Sequence, residues 1–206
     1  MKIYFDGCAK TLGLHGCSNG WDKRFSTRLC EKLGAEEYNI SRSGGSNRRL
    51  CRNLFQHQEK IHEFDLFIIQ MSKRKRFEIY DERKSEWCNI TECHKNPHSD
   101  PQYENDYINK SNPIMEKWKD IYFDEIYTDH LGDVDQKICY TCIKSVLQNQ
   151  KHVILYMGTD KCNLPCDLKY NRDVDYIKKS RRYVTMEGKS LHDKISNDII
   201  YLLDKA

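Results

Sequence analysis

The turn Gly7-Cys8-Ala9-Lys10-Thr11 has the form of a site for a reactive side chain. It follows a short apolar run and precedes a segment that can begin a helix, which would present position 9 to a substrate. A hydroxyl or thiol there would attack a carbonyl carbon and form a covalent intermediate. Ala9 has no such atom, so the turn lacks the nucleophile that its form predicts. The competing interpretation is an ordinary strand-to-helix turn in which Ala9 serves packing.

The ten cysteines include several at spacings typical of metal ligands. One cluster contains Cys88, Cys93, His94 and His98, and a second contains Cys162 and Cys166. Both are predicted to lie in loops and to be able to share a zinc ion, although the leading prediction is that the protein has no cofactor. Cys139 and Cys142 lie in a predicted helix, where buried thiols are the simpler interpretation.

Strand and helix patterns alternate along the chain. Continuous apolar runs at 65–71 and 152–157 predict central parallel strands, and shorter strands are predicted at 2–6 and 37–40. Helices are predicted at 24–33, from 47 onward, at 135–147 and at 191–204. This alternation predicts an α/β fold, a three-layer α/β/α sandwich with a mostly parallel sheet. We expect one domain over 1–206, with an irregular excursion at about 80–115.

Several polar or glycine-containing turns follow the predicted strands. Ala9 follows the first strand, Gly44, Gly45 and Asn47 follow the second, and a basic segment follows Met71. In a parallel sheet the carboxyl ends of the strands meet at one edge, where sites form. The three turns should therefore converge. Asn47 has an alternative duty, because a Ser-Asn pair commonly caps the following helix.

These three segments together resemble the SGNH (GDSL-like) hydrolases, a flavodoxin-like superfamily. The resemblance is carried by Gly-Cys-Ala-Lys-Thr, by Asn-x-Ser-x-Ser-Gly-Gly-Ser-Asn, and by Asp-Leu-Phe-Ile-Ile-Gln-Met-Ser-x-x-x-Arg-Phe-Glu. It is strongest to the small SGNH-like proteins of phages and large DNA viruses, which look like Gly-Cys-Ser-x-Thr in the first block. The resemblance implies an esterase or deacylase whose nucleophilic serine occupies position 9.

Alanine at position 9 then has two explanations. Either it is an inactivating replacement of a natural serine, which would remove the nucleophile with little disturbance, or the natural protein lost catalysis and kept the pocket. We favour the first. Ser18, in Gly-Cys-Ser-Asn-Gly, follows no strand and is the weaker nucleophile candidate, and Cys8 is conceivable as a thiol nucleophile.

The same resemblance implies roles for residues in the other blocks. A backbone N–H of Gly44 or Gly45 would stabilise the oxyanion. The third block lacks the usual asparagine donor, and Arg74 or Arg76 would replace it and suit an anionic substrate group. For Arg76, a salt bridge with an acid such as Glu78 is the alternative.

His192 is the candidate general base, because the superfamily places a histidine just before the last helix. The surrounding pattern departs from Asp-x-x-His-Pro, since Lys189 lies three residues before His192. Glu187 or Asp193 would orient the imidazole. The alternative is a histidine at the start of a surface helix.

Composition limits the partners. The net charge of +3 is too balanced to predict a nucleic-acid partner, despite the basic run at 73–76. No membrane span or secretory signal is recognisable, which predicts a cytoplasmic protein, in the host cytoplasm if it is viral. The expected partner is a small-molecule or glycan ester. The alternative function is a catalytically inactive binding protein for an acylated sugar or nucleotide-like ligand.

Overall fold

The computed structural model describes residues 1–13, 24–82, 85–91, 113–158, 162–171, 176–179, 182–185 and 190–205. Within these ranges the strands are β1 (Lys2–Asp6), β2 (Glu36–Asn39), β3 (Leu66–Met71), β4 (Arg76–Asp81), β5 (Glu86–Thr91), β6 (His152–Gly158), β7 (Leu168–Asn171), β8 (Tyr176–Lys179) and β9 (Arg182–Thr185). The α-helices are α1 (Ala9–Leu12), α2 (Phe25–Leu33), α3 (Asn47–Gln56), α4 (Pro113–Ile121), α5 (Asp129–Val146) and α6 (Leu191–Lys205). A 3₁₀ helix, Gln58–Glu63, follows α3, and a π-helical turn, Tyr122–Ile126, follows α4.

Five strands form one parallel sheet in the order β2-β1-β3-β6-β7. All six residues of β3 are buried, as are six of the seven in β6, because helices cover both faces. The predicted α/β fold with a mostly parallel sheet is therefore confirmed. The four strands predicted for its interior and first edge fall within a residue or two of their observed bounds.

Two apolar layers hold the helices on the sheet. On one face α2 and α6 pack through Phe25, Leu29 and Ile195 against side chains such as Phe5 and Ile68. On the other face α3 and α5 pack against the alternate side chains of the same strands, among them Tyr4, Phe67 and Ile154. Side chains alternate between the faces of a strand, so each central strand contributes to both layers.

Helix boundaries follow from local capping. Gly34 ends α2 in the left-handed conformation, with φ of 60°. The side chain of Ser46 accepts the Arg49 N–H and caps α3. Helix α5 begins earlier than the predicted 135, because Thr128 accepts the Leu131 N–H and starts the helix at Asp129.

The excursion predicted at about 80–115 is not wholly irregular. Strands β4 and β5 pair in an antiparallel hairpin, separate from the main sheet, that turns through Ser85 with φ of 51°. Phe77 and Ile90 are opposite each other in the register and are both buried, and the charged residues Glu78 and Asp81 of β4 are buried as well. Because these charges interrupt the apolar pattern, the sequence did not predict the hairpin. No helix in the described ranges has the length and apolar character needed to cross a bilayer.

Candidate functional site

The first two turns touch through their backbones at the carboxyl edge of the sheet. The N–H of Arg42 donates to the carbonyl oxygen of Gly7 at 3.2 Å. A Cβ placed on Gly45 would lie 3.0 Å from that same oxygen and 2.9 Å from the Arg42 carbonyl oxygen. Such distances leave no room for a side chain, so the approach of the two turns requires glycine at position 45.

The first turn is also fixed to the end of β3. The amide nitrogen of Gln70 donates to the sulfur of Cys8 at 3.1 Å, and its amide oxygen accepts the hydroxyl of Thr11. A Cβ on Gly7 would lie 2.7 Å from the Cβ of Gln70. Gln70 therefore orients both the residue before Ala9 and the helix that Ala9 begins.

The third turn, after β3, is closed by Asn47. Its side-chain oxygen accepts the Ser72 N–H at 2.7 Å, and its amide nitrogen donates to the Ser72 carbonyl at 3.2 Å. The Ser72 hydroxyl donates to the carbonyl of Gly45 at 2.6 Å. Asn47 thus holds the second and third turns together, while the capping role falls to Ser46. The three predicted turns meet as expected.

Arg76 is the guanidinium that reaches the first turn. It donates to the Gly45 carbonyl at 3.4 Å and is hydrogen-bonded to the sulfur of Cys8. Burial alone would raise the pKa of the Cys8 thiol, but the charges of Arg76 and Lys10 and their hydrogen bonds lower it overall. Arg76 and Lys10 consequently favour the thiolate form of Cys8.

The other basic residue proposed for the site, Arg74, extends toward α5. Its guanidinium lies 2.9 Å from the carboxylate of Asp133 and 3.9 Å from that of Asp129. The salt bridge considered between Arg76 and Glu78 is not the pairing that Glu78 makes. Glu78 pairs with Arg52 of α3 through two contacts of 3.0 Å.

Ala9 itself is the first residue of α1 and is 5% exposed. Its neighbour Lys10 crosses the sheet edge, where its ammonium donates to the Met157 carbonyl at the end of β6, at 3.0 Å. The residues on either side of position 9 are therefore tied to neighbouring strands, Cys8 to β3 and Lys10 to β6. Of the two glycines proposed as oxyanion donors, Gly45 uses its N–H within the turn, donating to the Arg42 carbonyl at 3.0 Å. Gly44, with φ of 71°, is the remaining candidate.

His192 lies in the first turn of α6 and is 1% exposed. Its Nδ1 accepts the backbone N–H of Phe25 at 3.2 Å, and the two rings stack with centroids 6.2 Å apart. It is thus a buried histidine and not one at the start of a surface helix. Asp193 forms an ion pair with Arg28 of α2. Glu187 and Ser18 lie outside the described residues.

A buried ion pair at the end of β1 holds the backbone of the first turn in place. The carboxylate of Asp6, fully buried at the end of β1, lies 2.6 Å from the Arg49 guanidinium and also accepts from Asn53 and from the Gly7 N–H. Burial raises the pKa of Asp6, while the charge of Arg49 and these donors act against that rise. The carboxylate fixes the backbone that leads to Ala9.

Sequence reasoning did not select Asp6, Arg49 or Gln70. Asp6 and Gln70 carried a usable signal, because a polar residue within or at the end of an apolar strand must find a buried partner; Arg49, in α3, carried no such signal. Gln70 interrupts the apolar run of β3, and Asp6 ends that of β1.

The predicted zinc ligands do not form a cluster where the structure describes them. Cys88 lies in β5 and not in a loop, whereas Cys162 and Cys166 precede β7. Cys93, His94 and His98 lie outside the described residues. Among the described ranges there is no group of three cysteine, histidine or acidic side chains placed to hold a metal ion.

Comparison with known proteins gives likeness in structure alone. No protein-family model matches the chain, and no curated protein matches it. Among solved structures, one similar protein is a carbohydrate esterase whose active site displays divergent catalytic and non-catalytic binding functions. Its TM-score is 0.48 at 10% identity, and the alignment covers 100% of this chain and 65% of the esterase. A family two carbohydrate esterase from Clostridium thermocellum in complex with cellohexaose has a TM-score of 0.47 at 10% identity, covering 99% of this chain and 63% of its own.

An acetyl xylan esterase from the rumen bacterium Butyrivibrio proteoclasticus has a TM-score of 0.44 at 12% identity, covering 99% of this chain and 64% of its own. At such identities the likeness concerns the fold. The chain also spans just under two thirds of the length of these three esterases.

Proposed function

We propose that the carboxyl edge of the sheet is an SGNH-like acyl-ester site whose nucleophile position is occupied by Ala9. The observation that carries this proposal is the meeting of three turns around position 9, with Gly7 against Gly45 and Gln70 against Cys8. A serine there would begin α1 directly after Cys8, whose sulfur is hydrogen-bonded to Arg76. Turnover as an esterase or deacylase therefore requires serine at position 9.

In the proposed reaction the serine hydroxyl attacks the acyl carbon and the developing oxyanion is held by the N–H groups of residues 9 and 44. The residues next to the two donors are held in place before substrate arrives, Gly45 by Ser72 and Cys8 by Gln70, and effective oxyanion stabilisation requires such preorganisation. Arg76 favours an anionic or strongly polar group near the ester. The substrate is a small-molecule or glycan ester, and no cofactor takes part.

His192 is the proposed proton acceptor, and its geometry sets a condition on that role. Because Nδ1 accepts the Phe25 N–H, a neutral ring carries its proton on Nε2. To accept a proton at either ring nitrogen, His192 would need to release its contact with Phe25, because a free Nε2 requires the tautomer in which Nδ1 carries the proton. Glu187 remains the proposed acid partner.

A second candidate is an inactive binding protein that holds an acylated sugar or nucleotide-like ligand. The specific observations in its favour are the alanine at position 9 and the engagement of the His192 Nδ1 by a backbone amide. Arg76 would supply the contact to the ligand, with Lys73 and Arg74 as further proposed contacts.

The test is to restore the hydroxyl with Ala9→Ser and measure hydrolysis of short-chain aryl esters and acetylated sugars. The unchanged chain and the double variant Ala9→Ser, His192→Ala serve as controls. Turnover that appears with serine and disappears in the double variant supports the esterase. If the serine variant is no faster than the unchanged chain, while acetylated sugars bind both, the binding function replaces it.

A further inference from the structure

We propose that Cys162 and Cys166 form a thiol oxidation site that a hydroperoxide converts to an intramolecular disulfide. The two cysteines lie on the segment between β6 and β7, separated by three residues, and their thiols are hydrogen-bonded to each other. Two sulfurs within hydrogen-bonding reach of each other need little movement to form a bond. This site is independent of the function proposed for the sheet edge.

The environment of Cys162 favours the thiolate, which is the reactive form. The hydrogen bond from Cys166 lowers the pKa of Cys162, burial opposes it, and the Leu164 N–H and the charge of Lys169 lower it further, to about 7. The pKa of Cys166 is raised, because its thiol donates to Cys162 and is partly buried. Cys162 is thus the attacking sulfur and Cys166 the resolving one.

The segment that carries both cysteines is anchored on each side. Cys162 and Leu164 pack into the apolar layer beneath α3 and α5, and the hydroxyl of Tyr140 donates to the Pro165 carbonyl at 2.9 Å. Lys169 donates to the Cys162 carbonyl at 3.4 Å. Among the residues that the structure describes, the ionisable groups beside the pair are Lys169, Asp167 and Tyr140.

A second thiol pair provides a contrast within the same chain. The thiol of Cys51 in α3 donates to the backbone carbonyl of Cys139 in α5 at 3.4 Å. Hydrogen bonding with Cys51 and burial raise the pKa of the Cys139 thiol, which is 4% exposed. Both pairs bring two cysteines together, whereas a lowered thiol pKa is found in the 162/166 pair.

The reaction balances in two steps. The Cys162 thiolate attacks one oxygen of the hydroperoxide, the O–O bond breaks, and the alkoxide or hydroxide that leaves takes a proton, giving a sulfenic acid at Cys162. The Cys166 sulfur then attacks that sulfur, the S–O bond breaks, and water leaves with the proton of Cys166. Two thiols are oxidised by two electrons and one hydroperoxide is reduced.

The experiment treats the reduced full chain with hydrogen peroxide at pH 7, blocks remaining thiols with N-ethylmaleimide, and analyses tryptic peptides by mass spectrometry. Trypsin releases residues 162–169 as one peptide that contains both cysteines. We expect this peptide to lose two hydrogen atoms and to become resistant to N-ethylmaleimide. This should happen about fivefold faster than the oxidation of Cys142. Dithiothreitol should restore both blocking sites.

Two variants make the result specific. Cys166→Ser should stop at the sulfenic acid of Cys162, trapped by dimedone, while Cys142→Ser should leave the disulfide unchanged. The proposal is overturned if the 162–169 peptide still carries two blocking groups when Cys142 has been oxidised. It is also overturned if Cys166→Ser yields no dimedone adduct at Cys162.

Discussion

The Nδ1 atom of His192 accepts the backbone N–H of Phe25 across 3.2 Å, joining the first residue of α2 to the first turn of α6. Both helices cover the same face of the sheet although they are far apart in sequence. A backbone amide can only donate, so this contact fixes the ring orientation and the lone pair on Nδ1. His192 therefore has a structural duty in addition to any part in proton transfer.

We expect His192→Ala to lower the free energy of unfolding by about 2–4 kcal/mol, because it leaves the Phe25 amide unsatisfied and opens a cavity. Urea unfolding followed by circular dichroism measures this change. The matched control is Asp193→Ala, which removes a partly exposed ion pair with Arg28 and should cost less than about 1 kcal/mol. Equal losses from the two variants would contradict a structural role for His192.

The contact between the first two turns predicts the effect of a methyl group at position 45. Gly45→Ala would press its Cβ against two carbonyl oxygens, those of Arg42 and Gly7, and should destabilise the fold by about 1–3 kcal/mol. It should also abolish any turnover that Ala9→Ser restores, because the turns must separate. Thermal unfolding and ester hydrolysis are the two measurements.

Gly34→Ala is the control for that variant. No atom lies within 4 Å of a Cβ at position 34, yet φ of 60° gives a strain of about 1 kcal/mol. This variant should lose stability but keep the turnover of Ala9→Ser. If Gly45→Ala and Gly34→Ala both keep the turnover of Ala9→Ser, the close approach of the first two turns at Gly45 is not needed for the site.

A third prediction concerns Glu37, whose carboxylate links β2 to α2. Burial alone would raise its pKa, but hydrogen bonds and a nearby positive charge lower the pKa overall, through Ser26, Asn39, Thr27 and Arg24. A carboxyl with a lowered folded pKa stabilises the protein above its unfolded pKa, and this contribution is lost as the pH falls through the folded value. Glu37→Gln should therefore cost about 1–2 kcal/mol at pH 7.

The difference between the unchanged chain and Glu37→Gln should shrink between about pH 5 and about pH 3. Chemical unfolding across this range measures it, with Glu36→Gln as the control because Glu36 is mostly exposed and 4.0 Å from Lys2. A stability difference that stays constant with pH would show that the charge of Glu37 contributes nothing.

The central strands could be predicted because burial on both faces produces a continuous run of apolar residues. Leu66–Met71 and His152–Gly158 are covered on both faces, so nearly every position is apolar and the sequence shows it directly. The hairpin of β4 and β5 was harder to predict, since it buries the charged residues Glu78 and Asp81 together with the apolar Phe77 and Ile90.

The convergence of the site could be predicted from topology, but its contacts could not. Parallel strands imply that the turns after β1, β2 and β3 share an edge. Which guanidinium turns inward depends on neighbours distant in sequence: Arg74 meets Asp133, whereas Arg76 meets Gly45. Likewise, His192 was selected for its place in the chain, and its contact with Phe25 has no local sequence signal.

The strand order also bears on how the chain emerges during synthesis. Strands β1, β2 and β3 are neighbours and lie within the first 71 residues, so they can pair before His152 and the rest of β6 exist. Until then β3 presents an unpaired apolar edge, the kind of surface on which nascent chains associate wrongly. The β3 edge therefore stays open from the completion of β3 until β6 has been synthesised and pairs with it.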